Sequence, residues 1–407
     1  MNKQHQNLAW PSRDGELLIG ERKLSDVAAE LSVDSFYAYD RERIRQRLTV
    51  LRAALPPAIG IHYAIKANPL PDLINFMATL VDGLDVASLT EMRLATASGM
   101  TPAAISYAGP GKSERDLAAA VDAGILLNLE SMREAETLAR ISKERGKAAR
   151  VAIRVNPAFE LRGAGMRMGG GAKPFGVDEE LVPEILSRLD AFGIDFEGFH
   201  IYCGSQNLNA DAIAEAQLQS YALAMRLARH APSAVLSLNL GGGFGIPYFV
   251  GDQALDLGPV ASALGRIAEA AANELPQALL HIELGRYLVG EAGIYATRIV
   301  DRKTSRGETF LITAGGMNHH LAASGNLGQV IRKNYPVAIG NRLDYATLET
   351  VNIHGPLCTP LDVIASKVEL PHAEPGDWVV VFQSGAYGAS ASPQSFLSMP
   401  SLAEILL

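Results

Sequence analysis

Short apolar or β-branched runs recur along the chain up to Leu284, each followed by a stretch with the spacing of a surface helix. Eight such runs stand in series: Ile61–Lys66, Leu84–Ala87, Ala104–Ala108, Ile125–Leu129, Arg150–Val155, Glu197–Tyr202, Val235–Leu240 and Leu279–Leu284. Helix-like segments lie between them, among them Thr90–Ser98, Ser131–Arg145, Ala210–Ala231 and Pro259–Asn273. Ser113, with Asp116 three residues on, reads as the N-cap of another. Periodicity alone leaves a doubly wound open sheet possible. The count of eight, and the polar motifs at the strand ends, favour an α/β chain built on a (β/α)₈ barrel.

After Gly290 the texture changes. Tyr295–Asp301, Thr309–Ala314, Thr350–His354, Asp362–Glu369 and Asp377–Gln383 are strand-like, with turn signals at Arg306-Gly307 and Pro375-Gly376-Asp377 and no long helical pattern between most of them. These runs predict a second, mainly β domain. The boundaries drawn from the pattern are a barrel over 34–290 and a β-rich domain over 1–33 and 291–407. No repeat of 20–50 residues and no low-complexity linker interrupts them.

A length of 407 residues suits two domains, and 48% hydrophobic with 20% charged residues is the balance of a globular chain. The net charge of −8 and the absence of a Lys/Arg run argue against a nucleic-acid-binding face. The segment Met1–Glu16 lacks the apolar core of a signal peptide, and no apolar run approaches the ~20 residues of a membrane span. Cys203 and Cys358 are the only cysteines, too few for a disulfide framework, so a reducing cytoplasm is the expected compartment.

Barrel active sites sit at the C-terminal ends of the strands, and the unusual motifs fall there. Lys66 ends the first run in Tyr63-Ala64-Ile65-Lys66-Ala67-Asn68-Pro69, Asp85-Val86-Ala87-Ser88 closes the second, Tyr202-Cys203-Gly204-Ser205-Gln206 closes the sixth, Gly241-Gly242-Gly243-Phe244-Gly245 follows the seventh, and Glu283-Leu284-Gly285-Arg286 closes the eighth. Burial of Lys66 among apolar neighbours would lower its pKa and free the amine for a Schiff base; a structural ion pair, with Asp85 for instance, is the competing reading. The glycine run lets backbone N–H groups approach a phosphate, with Gly204-Ser205 and Gly285-Arg286 as further donors, although any single glycine pair is more often a turn. Glu283, on the inward side of the last strand, could keep a pyridine nitrogen protonated, or could merely pair with Arg286.

Together these motifs resemble the fold type III pyridoxal-5′-phosphate decarboxylases, the ornithine and diaminopimelate decarboxylase family. The likeness runs from Ser35-Phe36-Tyr37-Ala38-Tyr39-Asp40 to Ser395-Phe396-Leu397 and includes Gly355-Pro356-Leu357-Cys358 in family order. It implies a barrel of the alanine-racemase type, a pyridoxal-phosphate cofactor, and a homodimer with shared active sites. By the same resemblance Lys66 holds the cofactor and Glu283 binds its pyridine nitrogen. Ser205, Gly242, Gly243, Gly285, Arg286 and Tyr387 hold the phosphate, and Asp85, Glu91 and Arg154 form a polar floor near Lys66. Cys358, from the partner subunit, reprotonates the substrate carbon after CO₂ leaves, with Asp362 beside it.

Departures from the family pattern bear on the substrate. Tyr202 stands where the family stacks a histidine on the cofactor ring, with His200 two residues earlier on the same strand face. Thr359 replaces the acidic residue after the cysteine that holds a distal amine, and Gly316-Met317-Asn318 runs into His319-His320-Leu321 rather than an Arg-Pro segment. Both weaken a strict diaminopimelate or other diamino-acid decarboxylase. The glycine-rich segment Phe159–Gly171 and the Cys358-Thr359-Pro360-Leu361-Asp362 run resemble the branch acting on carrier-protein-linked amino acids and the exosortase-associated decarboxylases. Arg162 or Arg167 is then a candidate for a substrate carboxylate or a phosphopantetheine phosphate, against a plain surface loop. Amino-acid racemisation on the same barrel is a second reading, opposed by Glu283 where racemases carry arginine. An inactive regulatory homologue is a third, opposed by Lys66, Glu283 and Cys358 together.

Overall fold

The computed structural model describes residues 10–327, 329 and 332–407. The backbone forms two compact units: one of 47–246 and 253–287, the other of the described residues of 1–46 with 247–252 and 288–407.

The first unit is the barrel. Its strands are Ile59–Ala64, Gly83–Val86, Ile105–Tyr107, Leu126–Leu129, Arg150–Asn156, Asp195–Ile201, Ser237–Gly242 and Leu279–Leu284, numbered one to eight below. Each pairs in parallel with the next, and strand eight returns to strand one in the register Ile282↔Ile61, so the sheet closes. The eight expected runs are these eight strands, with ends that agree to within two residues.

The helices begin where polar side chains can satisfy free backbone N–H groups. Ser88, Ser113 and Ser131 accept from the N–H groups of Glu91, Asp116 and Glu134, opening helices Leu89–Ala97, Glu114–Ala123 and Met132–Arg145. Ser113 and Asp116 form the full reciprocal box that their spacing predicts. Each such cap contributes about 1 kcal/mol. Barrel interiors are usually packed with branched aliphatic side chains. Here Asp85, Asn128, Arg154, His200, Asn239, His281 and Glu283 are all buried within the strands, so the barrel surrounds a polar site rather than a plain core.

The second unit is built on one long strand, Gly293–Ser305. It pairs antiparallel with Ser35–Tyr39, Glu308–Thr313 and Trp378–Val381. Leu348–His354 and Val363–Pro371 extend the sheet beyond Glu308–Thr313. Arg306 and Gly307, both at positive φ, make the two-residue hairpin turn that the sequence signals there. Phe36 meets Trp378 edge to face at 5.6 Å in a core with Leu17, Ile19, Leu24, Ile294 and Val380.

The expected boundaries move. Residues 34–46, 247–252 and 288–290, assigned to the barrel by pattern, belong to this β-rich unit. Ser35–Tyr39 is buried along its whole length and lies between Gly293–Thr297, in the register Ser35↔Thr297, and Ala403–Leu406. A fully buried run reads alike in either sheet, and its partner lies at the far end of the chain. Strands Val337–Ile339 and Ala403–Leu406 were not signalled by the pattern. Among the described residues no helix is long and apolar enough to cross a membrane, and both cysteines are free.

Candidate active site

Strand one ends at Ala64 and passes into a single 3₁₀ turn, Ile65–Ala67. Ile65 and Ala67 point into the core and anchor the turn, while the Lys66 side chain between them is 41% exposed. The expectation of a lysine buried among apolar neighbours is therefore corrected: its neighbours are buried, and the amine is open. Lys66 Nζ donates to Glu283 Oε1 at 3.1 Å and lies 5.5 Å from the centre of the Tyr202 ring.

Glu283, near the end of strand eight, is 5% exposed, and its other oxygen lies 3.2 Å from His200 Nε2. Burial alone would raise its pKa, but the Lys66 ammonium and then His200 outweigh that, and the carboxyl stays below the usual range. Asp85, at the end of strand two, moves the other way. Burial raises it, and the charge of Glu283 raises it further, against weaker pulls from His281, His200 and Lys66. Of two buried carboxyls that feel each other's charge, one keeps its charge and the other tends to hold a proton.

The glycine run lies beside this pair, with Gly242 the register partner of Glu283. A Cβ on Gly242 would come 2.1 Å from the Glu283 carbonyl oxygen, so this glycine is already demanded by the closeness of strands seven and eight. Gly243 accepts from Asn207 N–H at 2.9 Å, tying the loop after strand seven to the one after strand six. Gly204 and Ser205 pair antiparallel with Met166 and Arg167. Gly285 precedes Arg286, which opens the four-residue helix Arg286–Val289.

Other candidates have structural partners. Arg154, buried in strand five, donates to Glu130 Oε1 at 3.0 Å. Glu130 belongs to a buried network that pattern reading missed: it accepts from Gly109 and Gly176 N–H, and the wholly buried Lys112 amine lies 3.0 Å from Glu134. Its signal was present, since Glu130-Ser131 and Glu134 follow strand four directly. Glu91 Oε2 accepts from Ala87 N–H at 2.7 Å and so caps its own helix.

The segment Phe159–Gly171 is laid against the end of strand six. Met168 and Gly169 donate to the Cys203 carbonyl, and Asn207 donates to that of Arg162 at 2.8 Å. Arg162 is exposed and lines a cavity of about 300 Å³ with Glu160 and Glu215. The two carboxyls make that cavity a poor seat for a phosphate. The side chain of Arg167 lies outside the described residues.

In the β-rich unit, Cys358 is exposed, and Tyr387 holds a positive φ of 54°, the kind of backbone strain that clusters at functional sites. Asp362, expected beside the substrate, is 1% exposed and accepts from Met317 N–H at 2.5 Å and Leu357 N–H at 2.7 Å, one on each oxygen. Both carboxylate oxygens are thus engaged by two loops of its own unit, a structural role that the pattern reading did not foresee.

A solvent-facing lysine amine against a buried carboxylate that stays charged, at the end of a closed barrel, suits a pyridoxal-phosphate cofactor. The family model of the pyridoxal-binding domain of pyridoxal-dependent decarboxylases matches residues 41–290, and the chain belongs to this family. It is a pyridoxal-phosphate-dependent amino-acid decarboxylase. Among its relatives, the L-glutamyl-[BtrI acyl-carrier protein] decarboxylase of Niallia circulans is 38% identical over 91% of this chain and 88% of that protein. The diaminopimelate decarboxylase of Aquifex aeolicus is 32% identical over 97% and 91%. The crystal structure of diaminopimelate decarboxylase from Helicobacter pylori complexed with L-lysine superposes with a TM-score of 0.82 at 26% identity, covering 94% of each chain.

The residues present fit this cofactor. An amine is open to take its aldehyde carbon, and a carboxylate held in its charged form suits its pyridinium. Asp85 Oδ2 and His200 Nδ1 are buried with no hydrogen-bond partner among the described residues, polar atoms of the kind a bound group satisfies.

Proposed function

We propose that this decarboxylase removes the α-carboxylate of an amino acid whose side chain is tethered to a carrier protein. Lys66 holds the cofactor, and Glu283 faces its pyridine nitrogen. The observation that carries this part is the 3.1 Å contact between Lys66 Nζ and Glu283 at the C-terminal end of the barrel. Bound pyridoxal phosphate supplies the electron sink that makes loss of CO₂ feasible. Glu283 keeps its negative charge at the inner end of the site, where a protonated nitrogen needs it. Tyr202, within reach of the Lys66 amine, offers its ring to the cofactor plane. Ser205, Gly242, Gly243, Gly285, Arg286 and Tyr387 are assigned to the phosphate, with Asp85 and Arg154 on the polar floor.

Cys358 delivers the proton that replaces CO₂, from the second subunit of a homodimer. Pro356, Pro360 and Leu361 around it are exposed, and Asn326 donates to the Leu361 carbonyl at 3.2 Å, setting the exposed Leu327 alongside. Apolar groups exposed together in this way suit a subunit interface. Co-expression of Lys66→Ala with Cys358→Ala chains tests the sharing. Mixed dimers of shared sites regain activity that neither variant has alone, and separate sites regain none.

Support for a tethered substrate comes from Thr359, which removes the acid used for a distal amine, and from the similarity to the glutamyl-carrier enzyme. Arg162, exposed in the Phe159–Gly171 segment, is a candidate for contact with a substrate carboxylate or the tether outside the acidic cavity it lines. The deciding assay is CO₂ release from a panel of D- and L-amino acids, each offered free and as a carrier-protein thioester. Faster turnover of thioesters supports the reading. Equal or better turnover of free diaminopimelate overturns it.

A further inference from the structure

His62, in strand one, has a built seat that the chemistry above leaves unused. Its ring stacks on His281 of strand eight with centroids 4.0 Å apart and planes 15° from parallel. It also packs against Gly83 of strand two, where a Cβ would lie 2.4 Å from His62 Nε2; the bare glycine makes room for the ring. Held this way, His62 brings Nδ1 to 3.3 Å from Asp85 Oδ1. The other oxygen of Asp85 is buried and has no hydrogen-bond partner among the described residues.

The charges around the seat are few. Burial lowers His62 to about 4, against the opposite pulls of Asp82 and Glu283. It lowers His281 to about 3, with His62 and His200 adding to the fall and Asp85 opposing it. Asp85 itself feels Glu283, His281, His200 and Lys66. Near neutral pH both stacked rings are therefore uncharged, and His62 carries a single N–H.

We propose that His62 is a positioning residue. As its Nδ1–H tautomer it donates to Asp85 Oδ1, so that the carboxyl is fixed beside Glu283 and Oδ2 is left as the atom that holds a proton. Burial and the charge of Glu283, not the His62 bond, favour the protonated form of Asp85; the bond fixes which oxygen is left to carry that proton, and Glu283 keeps the negative charge at the inner end of the site. The functional part rests on Glu283 serving the pyridine nitrogen.

The test uses the full-length protein. In the apoprotein with ¹⁵N-labelled histidine, assigned through His62→Asn, His62 gives the neutral Nδ1–H signature across the neutral range. An Nε2–H tautomer or a cationic ring overturns the proposal without any variant having to be active. Two substitutions then separate donation from packing. His62→Phe keeps a ring for the stack but has no donor; His62→Asn keeps an N–H near the position of Nδ1. Loss of the donor raises the Asp85 pKa further, read by ¹³C-carboxyl titration of the apoprotein, and His62→Asn restores it. In the holoenzyme His62→Phe lowers kcat by up to about tenfold, the upper end of the effect of one buried hydrogen bond between neutral groups, while KM stays within about twofold. His62→Asn recovers most of the loss. Phe and Asn variants that titrate and turn over alike refute the role. Normal turnover of Glu283→Gln would instead sink the pyridine-nitrogen reading and leave the tautomer result standing, so the two failures are distinguishable.

Discussion

Asp362→Ala separates a structural from a substrate-binding carboxylate. The side chain is 1% exposed and accepts two backbone N–H groups, from Met317 and Leu357, at 2.5 and 2.7 Å. Truncation orphans both donors. Each buried, unsatisfied N–H costs about 1–3 kcal/mol, so the pair costs about 2–6 kcal/mol. The space vacated beside Gly316 and Gly355 can admit water, which places the expected value near the lower end, at about 3 kcal/mol. Asp362→Asn keeps one acceptor but turns an amide N–H₂ toward the other donor, so it is expected to destabilise by a similar amount. Urea unfolding of the apoprotein, compared at constant m, reads the difference. The decarboxylation KM of whichever variant remains folded is measured alongside. Unchanged unfolding midpoints with a raised KM would refute the structural assignment and return Asp362 to the substrate.

Lys66→Ala should purify colourless and inactive after incubation with pyridoxal phosphate, and a yellow, active variant would remove the lysine from its role. Glu283→Gln should lower kcat about a hundredfold, because a preorganised charge at such a position contributes about 3 kcal/mol; single-turnover CO₂ release checks it. Cys358→Ala should keep cofactor affinity and slow product formation, or divert it to transamination, and wild-type behaviour would mean the proton comes from elsewhere. His320→Gln tests a pH dependence. Burial lowers His320 to about 3, below the ~6.5 of an unfolded histidine. Its contribution is thus fully present above pH ~6.5 and is lost as pH falls toward the folded value. At pH ~4.5 the loss is about 3 kcal/mol. Glutamine can still donate to Ser384, as His320 Nε2 does at 2.9 Å, so the variant's stability should fall less on acidification; parallel curves would reject the account.

Much of the architecture was legible because it is written in local patterns. Eight apolar runs alternating with helix periods require a parallel sheet covered by helices, and the serine caps mark helix starts within a residue or two. Arg306-Gly307 marks its hairpin because both positions take positive φ. The site was legible to the same depth. A residue at the end of a barrel strand faces the site wherever the strand lies, so Lys66, Asp85, Tyr202 and Glu283 could be gathered without knowing a single distance.

The chain's pattern, by itself, determined the strand count, the barrel, and the face on which the polar residues converge, since each of these follows from period, side-chain direction and turn chemistry within a few residues. Only the tertiary structure decided which groups meet. It gave Lys66 to Glu283 rather than Asp85, tied Asp362 to two loops of its own unit, moved Ser35–Tyr39 into the β-rich unit, and stacked His62 on His281. The reason is common to all four. A buried polar or fully apolar segment will accept any partner that satisfies it, and the choice is made by chain segments far apart in sequence whose approach no local period encodes.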